Sequence, residues 1–245
     1  MTLRNAGLCL LLAVPSFAQA LPLGEDFTLI GDFSIMSDYR SRGISQTLGD
    51  PAAALTLTVV NNATGLYAGV YTANVDFGYD VKTRQELDYY AGWFFQPTED
   101  VSLDVGYLKY EYPNEGQFNQ VETYAMLKAY GFKLSAFYSD DAPILGREQT
   151  TLYTWVGYEY RLPWDVLIDT RYGRMDFKDD VFYSGSGGAR GDYHEWEAKF
   201  SKELSGLKFS ASYIDTDLSK NECMSNYGFT DVCTATVAFA VSKVF

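Results

Sequence analysis

The sequence predicts an all-β fold, a single-chain antiparallel transmembrane β-barrel of twelve strands with short periplasmic turns and longer extracellular loops. Two observations predict it first: apolar and polar residues alternate with a period of two in twelve runs, and the connections between the runs are alternately short and long. Third, the polar side of the runs carries the charged residues that a hydrated lumen holds. The alternative, a soluble aromatic-rich β-sandwich, would bury its apolar side instead.

Each run has an apolar side that we assign to lipid. In the first run Phe27, Leu29, Phe33 and Ile35 alternate with polar residues, and most runs have the roughly 9–11 residues that cross a bilayer at a tilt. An even number of runs fits a bacterial single-chain barrel. The runs lie near residues 27–35, 55–59, 65–77, 86–95, 101–111, 120–129, 132–139, 150–160, 165–174, 192–202, 207–216 and 233–245.

The connections give the orientation and the location. The short ones, near residues 61–64, 96–99, 130–131, 161–164 and 203–206, are rich in the Gly, Pro and Asn that turns need. The long ones lie near residues 38–51, 78–84, 112–119, 140–149, 175–191 and 217–232. Outer-membrane barrels place tight turns in the periplasm and long loops outside, so the pattern predicts the bacterial outer membrane.

Both ends of the chain agree with export. Residues 1–20 read as a cleaved secretory signal, with Arg4 before an apolar stretch and a small-x-small site at Ala18-Gln19-Ala20, which leaves residues 21–245 as the barrel domain. The last run ends in Phe245, which we interpret as the signal that the barrel-assembly machinery reads. A net charge of −13 argues against a nucleic-acid partner, whose phosphates need basic residues.

Two cysteines remain after processing. Cys223 and Cys233 both fall in the last long loop and reach an oxidising compartment, so a disulfide within that loop is the favoured interpretation. A metal site is less favoured because the two thiols have no histidine nearby; His194 is the one histidine in the sequence. The sequence therefore predicts no metal and no cofactor.

Charged residues follow the inner side of the predicted strands, and acids outnumber bases. They fit either a lattice of structural salt bridges or a role in ion selectivity, and the sequence leaves both open. The residues are Glu86, Asp88, Asp104, Glu122, Lys128, Lys133, Glu159, Asp165, Asp169, Arg171, Glu195, Glu197, Lys199 and Lys208.

Three segments carry a family resemblance. They are Ser37-Asp-Tyr-Arg-Ser-Arg-Gly-Ile-Ser-Gln-Thr47, and Gly65-Leu-Tyr-Ala-Gly-Val-Tyr-Thr-Ala-Asn-Val-Asp-Phe77 followed by Glu86-Leu-Asp-Tyr-Tyr-Ala-Gly92. With them the chain resembles the TorF family of porins, also called the Gcw_chp family. It departs from that pattern at Ser41, where an aromatic is usual, at Tyr71 in place of Trp and at Ala73 in place of Ser. The resemblance implies an outer-membrane porin barrel.

One cluster of charges is the candidate constriction. Arg40 and Arg42 in the first long loop are expected to fold inward and pair with Asp76 and Asp88, because guanidinium grips carboxylate bidentately. The cluster would form a constriction or a site for an anionic group. A network that only anchors the loop is the alternative. The full set of pore-lining candidates is Asp38, Arg40, Arg42, Asn74, Asp76, Glu86, Asp88, Asp169 and Arg171.

The predicted function is passive diffusion of small hydrophilic solutes, with a weak cation preference. A non-conducting structural or surface-binding barrel is the alternative. A barrel hydrolase is less favoured: His194 would have to serve as its base, yet its position in the alternation points at lipid and no Ser or paired-Asp motif accompanies it. Expected partners are outer-membrane lipids, lipopolysaccharide and the barrel-assembly machinery, and the sequence sets no oligomeric state.

Overall fold

The computed structural model describes residues 20–79, 81–144 and 146–245. Nearly all of the predicted signal peptide, and Cys9 within it, lies outside the described residues. Twelve antiparallel strands form one sheet that closes on itself, because the first strand pairs with both the second and the last. The predicted twelve-stranded barrel is confirmed.

We number the barrel strands in chain order. They are β1 (Phe27–Met36), β2 (Ala52–Asn61), β3 (Leu66–Asn74), β4 (Gln85–Thr98), β5 (Val101–Glu111), β6 (Gln120–Ala129), β7 (Phe132–Ile144), β8 (Arg147–Arg161), β9 (Val166–Phe177), β10 (Asp192–Leu204), β11 (Leu207–Thr216) and β12 (Thr236–Val244). Leu21–Leu23 adds a short strand that pairs with the start of β1.

Side chains alternate between the two faces of the wall as the sequence predicts. Phe33, Ile35, Leu134 and Phe239 are exposed on the outer face, where lipid would cover them. Aromatic residues are frequent on this face, and Trp93 stacks on Phe95 toward the end that carries the short turns. The described residues contain no helix long and apolar enough to cross a membrane.

Two-residue turns close the short-turn end. Tyr130 and Gly131 both have positive φ, 52° and 85°, as do Ser205 and Gly206, at 52° and 75°. Positive φ at both central residues is the signature of a type I′ hairpin turn, whose twist matches that of the flanking strands. The alternation of turn lengths is therefore built from local backbone chemistry.

One predicted long loop is wrong. Residues 140–144 and 147–149 belong to two paired strands, because β7 runs to Ile144 and β8 starts at Arg147. A bulge between Ser139 and Ala142 shifts the register there, and Ser139 Oγ lies 2.9 Å from Asp141 Oδ1. The polar sequence suggests a loop because these strands rise above the membrane, where no lipid imposes alternation.

Small elements fill the long-loop end. Arg40–Ser41 pairs with Ile44–Ser45 in a hairpin between β1 and β2 that we call the lumen hairpin, and Phe182–Tyr183 pairs with Ala189–Arg190. Helix α1 (Lys220–Tyr227) begins with a capping box between Ser219 and Glu222. We call residues 217–234 the cap; Cys223 and Cys233 form a disulfide within it, with their Cα atoms 6.0 Å apart.

A buried apolar cluster lies inside this end of the barrel. Ile44 of the lumen hairpin packs among inward residues of the wall and residues of the cap. Its members are Ile44, Tyr153, Met175, Phe177, Val181, Phe182, Tyr193, Leu218, Cys223, Val232 and Cys233. Hairpin and cap thus share one core.

Candidate functional site

The lumen hairpin is folded by the short motif that surrounds it. Asp38 is buried and accepts hydrogen bonds from Ser45 Oγ at 2.6 Å and from Arg40 Nε at 2.7 Å. Arg40 also donates to the carbonyl oxygens of Gly43 and Thr234, each at 2.9 Å. The Asp38–Arg40 pair therefore shapes the hairpin and ties it to the cap.

Arg42 lies at the tip of the hairpin and reaches across the lumen. Its Nη2 donates to both carboxylate oxygens of Glu122 on β6, at 2.7 and 2.6 Å, and the guanidinium lies 4.7 Å from the ring centroid of Tyr153 and 5.5 Å from that of Phe137. Tyr193 donates to the Arg42 carbonyl oxygen at 2.9 Å. We call these groups around Arg42 the arginine seat.

Arg42 is also positioned by the turn of the hairpin. Arg42 and Gly43 are its two central residues, and their φ values of +51° and +84° match those of the Tyr130–Gly131 turn. Burial alone would lower the pKa of Arg42, but the Glu122 carboxylate outweighs that effect and raises it. The guanidinium therefore stays charged and its attraction to Glu122 holds the tip in place.

A second carboxylate of the seat region is also satisfied. Glu86 at the start of β4 accepts hydrogen bonds from Tyr39 at 2.6 Å and from Tyr112 at 2.7 Å. Burial and the neighbouring Glu86 raise the pKa of Tyr39 well above its usual value, as they do for Tyr112. Both hydroxyls remain protonated and serve as donors.

A third carboxylate is not satisfied. Asp88, two residues further along β4, is 4% exposed, and its Oδ1 has no hydrogen-bond partner among the described residues. Its cross-strand neighbours are Tyr71 and Tyr110, and the Tyr110 hydroxyl already donates to Glu122 at 2.9 Å. A buried carboxylate oxygen without a donor is energetically costly, so the position calls for an explanation.

The cap covers the hairpin from above. Arg190 donates to Glu222 at 2.7 Å and to Asp217 at 3.0 Å and so holds the cap to the loop beside it. Burial acts to raise the pKa of Asp217 and of Glu222, but hydrogen bonds, including those from Arg190, lower both pKa values below their usual range. The cap is therefore anchored by carboxylates that prefer the charged form.

The lumen below the hairpin is wetter. Lys128, which pairs with Glu159 at 2.8 Å, is 44% exposed, whereas the Glu122 side chain is 1% exposed. The predicted residues Asp169 and Arg171 both point into the lumen; Asp169 pairs with Lys133, and Arg171 pairs with Glu195 at 3.0 Å and Glu197 at 3.2 Å. The interior is a polar vestibule that ends at the arginine seat.

Tyrosine side chains on the inner wall lie over glycines of neighbouring strands. A β-carbon at any of these glycines would overlap the ring that covers it. The pairs are Gly92 with Tyr67, Gly69 with Tyr90, Gly106 with Tyr124, and Gly173 with Tyr153. The absent side chains make room for the tyrosine rings.

The predicted partners of the two arginines are wrong. Arg42 binds Glu122, and Arg40 binds Asp38. Asp76 Oδ1 lies 3.8 Å from Arg84 Nη1 instead. Asp88 forms no salt bridge among the described residues. Alternation assigns a side chain to a face of the wall but does not say which residue stands opposite across the lumen.

Asn74 is also corrected. On β3 the odd-numbered residues face inward, so Asn74 faces outward, where its Oδ1 accepts from the Ala53 amide at 2.7 Å and its Nδ2 donates to the Pro51 carbonyl at 3.2 Å. Asp76 follows the strand, and its amide donates to Gln46 at 2.8 Å. Both residues brace the base of the first long loop.

The sequence predicts that Glu122 lies inside the barrel but assigns no role to Glu122, Tyr153 or Tyr193. The inward positions of the tyrosines were a signal for lining residues, yet their height along the barrel depends on strand register. His194 lies on the outer face, stacked on Tyr172, with its Nδ1 3.3 Å from Asp217 Oδ2. The described residues contain no group of three or more His, Cys, Asp or Glu arranged to hold a metal ion.

A known protein family matches almost the whole barrel. Residues 23–245 match the model of a bacterial protein of unknown function, Gcw_chp. The chain belongs to the Gcw_chp family. The motif that folds the lumen hairpin and seats Arg42 lies within the matched region, so the resemblance predicted from that motif is confirmed.

The solved structure of a porin shows the same fold at low sequence identity. A NanC porin in a rhombohedral crystal form aligns with a TM-score of 0.53 and 11% identity, covering 86% of this chain and 98% of that chain. A KdgM porin in complex with disordered oligogalacturonate aligns with a TM-score of 0.49 and 11% identity, covering 89% and 99%. Among curated proteins no sequence matches this member of the family.

Proposed function

We propose that the chain is an outer-membrane channel for passive diffusion of small hydrophilic solutes, closed near its extracellular end by the lumen hairpin. One observation carries the proposal. The lumen is closed by a loop whose tip is held by the Arg42–Glu122 ion pair, while the barrel below it is polar and partly open to water. The shared fold with the NanC porin supports it.

The lumen hairpin that closes the barrel is small enough to move without the wall. Eight-stranded barrels fill their interior with side chains and sixteen-stranded ones hold a wide channel, so twelve strands leave a passage that an inward loop can block. The hairpin is only six residues long, and no barrel strand has to move for it to leave. Opening would require the hairpin to break the Arg42–Glu122 pair and its hydrogen bonds to Thr234 and Tyr193. It would also withdraw Ile44 from the shared core.

A preference for cations is the finer part of the proposal. Glu86, Asp88 and Glu122 lie buried near the hairpin, and Arg42 binds one of these three carboxyl groups. Negative charge in a narrow passage raises the local concentration of cations and repels anions. When the hairpin leaves, the guanidinium leaves with it and the Glu122 carboxylate is no longer neutralised.

A second candidate function is a non-conducting barrel that binds a partner at the cell surface. The observation that favours it is the depth of the closure: hairpin, cap and wall share one buried cluster, and the disulfide stiffens the cap. Tyr79 and Met224 are exposed on this side. In both proposals lipid and lipopolysaccharide contact the apolar outer face, and the barrel-assembly machinery inserts the chain.

Planar-bilayer recording separates the two. The parent protein and Arg42→Ala would be compared in salt gradients, with Arg174→Ala as the control, since Arg174 is an arginine on the outer face at the same end of the barrel. We expect larger or more frequent conductance steps in Arg42→Ala alone, with reversal potentials that show a cation preference. No conductance in either variant, together with no solute uptake in liposome swelling, would favour the surface-binding barrel.

A further inference from the structure

The arginine seat has the features of a binding site for a guanidinium group. Glu122 offers both carboxylate oxygens to one nitrogen of Arg42, and the ring of Tyr153 lies 4.7 Å from the guanidinium carbon with that of Phe137 at 5.5 Å. A carboxylate that grips the planar group, together with aromatic faces beside it, is the recognition chemistry that guanidinium prefers over ammonium.

Most of the seat belongs to the barrel wall and does not depend on the hairpin. Glu122 lies on β6, Phe137 on β7 and Tyr153 on β8, three consecutive strands, so removal of Arg42 would leave the carboxylate and both rings in place. The Tyr110 hydroxyl on β5 continues to hold Glu122 at 2.9 Å. The wall therefore keeps a site of this shape after the tip has withdrawn.

A buried hydrogen-bonding group near the seat is unused. Asp88 is 4% exposed and faces the lumen near Glu122, and its Oδ1 has no hydrogen-bond partner among the described residues. A guanidinium group carries five N–H donors, and Arg42 uses those of Nη2 on Glu122. The free Asp88 oxygen could therefore accept a hydrogen bond from a bound solute.

We propose that the arginine seat is a binding site for small solutes that carry a guanidinium group, and that Arg42 occupies it as a tethered substitute until such a solute displaces it. The inference rests on the proposed channel function and names the substrate class of that channel. A metal ion is a poorer match, because the carboxylates do not converge as metal ligands within the described residues.

Binding is tested in detergent with Arg42→Ala, which empties the seat without touching the wall. Calorimetric titration would use methylguanidinium at millimolar concentration, with methylurea as its uncharged analogue. We expect saturable binding to Arg42→Ala, no saturable binding of methylurea, and affinity for the parent protein lower by about tenfold or more, since Arg42 competes.

Two double variants locate the site. Glu122→Gln added to Arg42→Ala should weaken methylguanidinium binding by about tenfold or more, because a charge-assisted bond is lost. Asp104→Asn added to Arg42→Ala is the matched control, since Asp104 is a lumen carboxylate held by Tyr67 further from the hairpin, and it should leave the affinity within about twofold. Equal affinity with and without the Glu122 carboxylate would overturn the proposal.

Two further measurements test whether the site is specific for guanidinium. Competition by potassium at the same concentration as methylguanidinium would show a site for any monovalent cation and would overturn the guanidinium assignment. If Arg42→Ala does not refold alone, its refolding yield with methylguanidinium against methylurea gives the same information, and no rescue counts against the site. Binding in detergent does not require the solute to cross the barrel, so the two proposals can fail separately. A protein that conducts ions but does not bind methylguanidinium would overturn only the binding site. A protein that binds methylguanidinium but does not conduct would overturn only the channel function.

Discussion

The ring of Phe245 lies over Gly31, so that a β-carbon added at Gly31 would overlap the aromatic ring. The two residues also exchange backbone hydrogen bonds, from Gly31 N to Phe245 O at 2.7 Å and from Phe245 N to Gly31 O at 2.8 Å. The terminal residue therefore continues the pairing of β12 with β1 past the end of the strand. A glycine covered by an aromatic ring of the neighbouring strand is a known device for stabilising strand pairing.

We expect Phe245→Ala to lower the yield of assembled barrel, with a loss of about 1–2 kcal/mol at the seam. Gly31→Val should have a similar effect because the ring cannot remain in place. Heat-modifiable migration on gels measures the folded fraction, and circular dichroism in detergent measures strand content. Normal outer-membrane yield of Phe245→Ala would count against a role of this residue in assembly.

A substitution at Gly43 tests whether the hairpin can be kept out of the lumen by a steric clash alone. Its φ is +84°, and a β-carbon there would stand 2.6 Å from Thr216 Cγ2 and 3.0 Å from Glu195 Cβ. Gly43→Ala should keep the hairpin out of the lumen, so that trypsin cleaves after Arg42 at least about tenfold faster than in the parent, because cleavage requires local opening.

Gly49→Ala is the matched control for that experiment. Gly49 has nearly the same φ, +83°, but has nothing within 4 Å of the added carbon. It therefore carries the same backbone penalty without the clash, and we expect Arg42 to remain protected. Equal cleavage in the two variants would show that backbone strain, and not exclusion from the lumen, releases the hairpin.

The disulfide should stabilise the cap. Closing a ring between cysteines 10 residues apart is worth about 3 kcal/mol on the chain-entropy model. Thiol labelling of the unfolded, non-reduced protein should give little signal. Cys223→Ser with Cys233→Ser should speed hydrogen exchange in residues 217–234 while the barrel strands stay protected; strong labelling of both thiols in the parent would remove the disulfide from this account.

The attachment of the cap should weaken in acid. Asp217 and Glu222 have folded-state pKa values below their unfolded values of about 3.9 and 4.3, so their contribution is complete above those values and is lost as the pH falls through the folded ones. Protease protection of the cap should therefore be constant from pH 7 to about pH 5 and decline below about pH 4. Arg190→Gln should flatten this decline, and an unchanged profile would contradict the assignment.

The strands of this fold were predictable because the lipid on one face and the lumen on the other impose a period of two on every strand that crosses the membrane. The fold of the first long loop was only half predictable. Its charged residues do enter the barrel, but the partner of Arg42 is Glu122, on a strand that lies far away in sequence and is set opposite only by the shear of the closed barrel. The alternation of residues along one strand does not show how high in the barrel a side chain lies relative to residues on distant strands.

The structure also shows why acidic residues in a lumen cannot be sorted by sequence into structural and functional groups. Glu195 and Asp88 are both inward and buried, yet Glu195 is paired with Arg171 and bonded to Tyr153, whereas Asp88 Oδ1 has no donor among the described residues. Their sequence contexts are alike. The difference arises from neighbours on other strands, and only coordinates supply it.

The position of the closure near one end of a polar lumen has an electrical consequence. A voltage across the membrane falls mainly over the section that holds least water, so the field is steepest at Arg42. Moving one elementary charge through 100 mV changes its energy by about 2.3 kcal/mol, comparable to a charge-assisted hydrogen bond. A potential that is positive on the short-turn side pushes this arginine outward, and the opposite polarity presses it against Glu122. On the proposed channel function, a barrel inserted in one direction should therefore pass current more readily at one polarity than at the other.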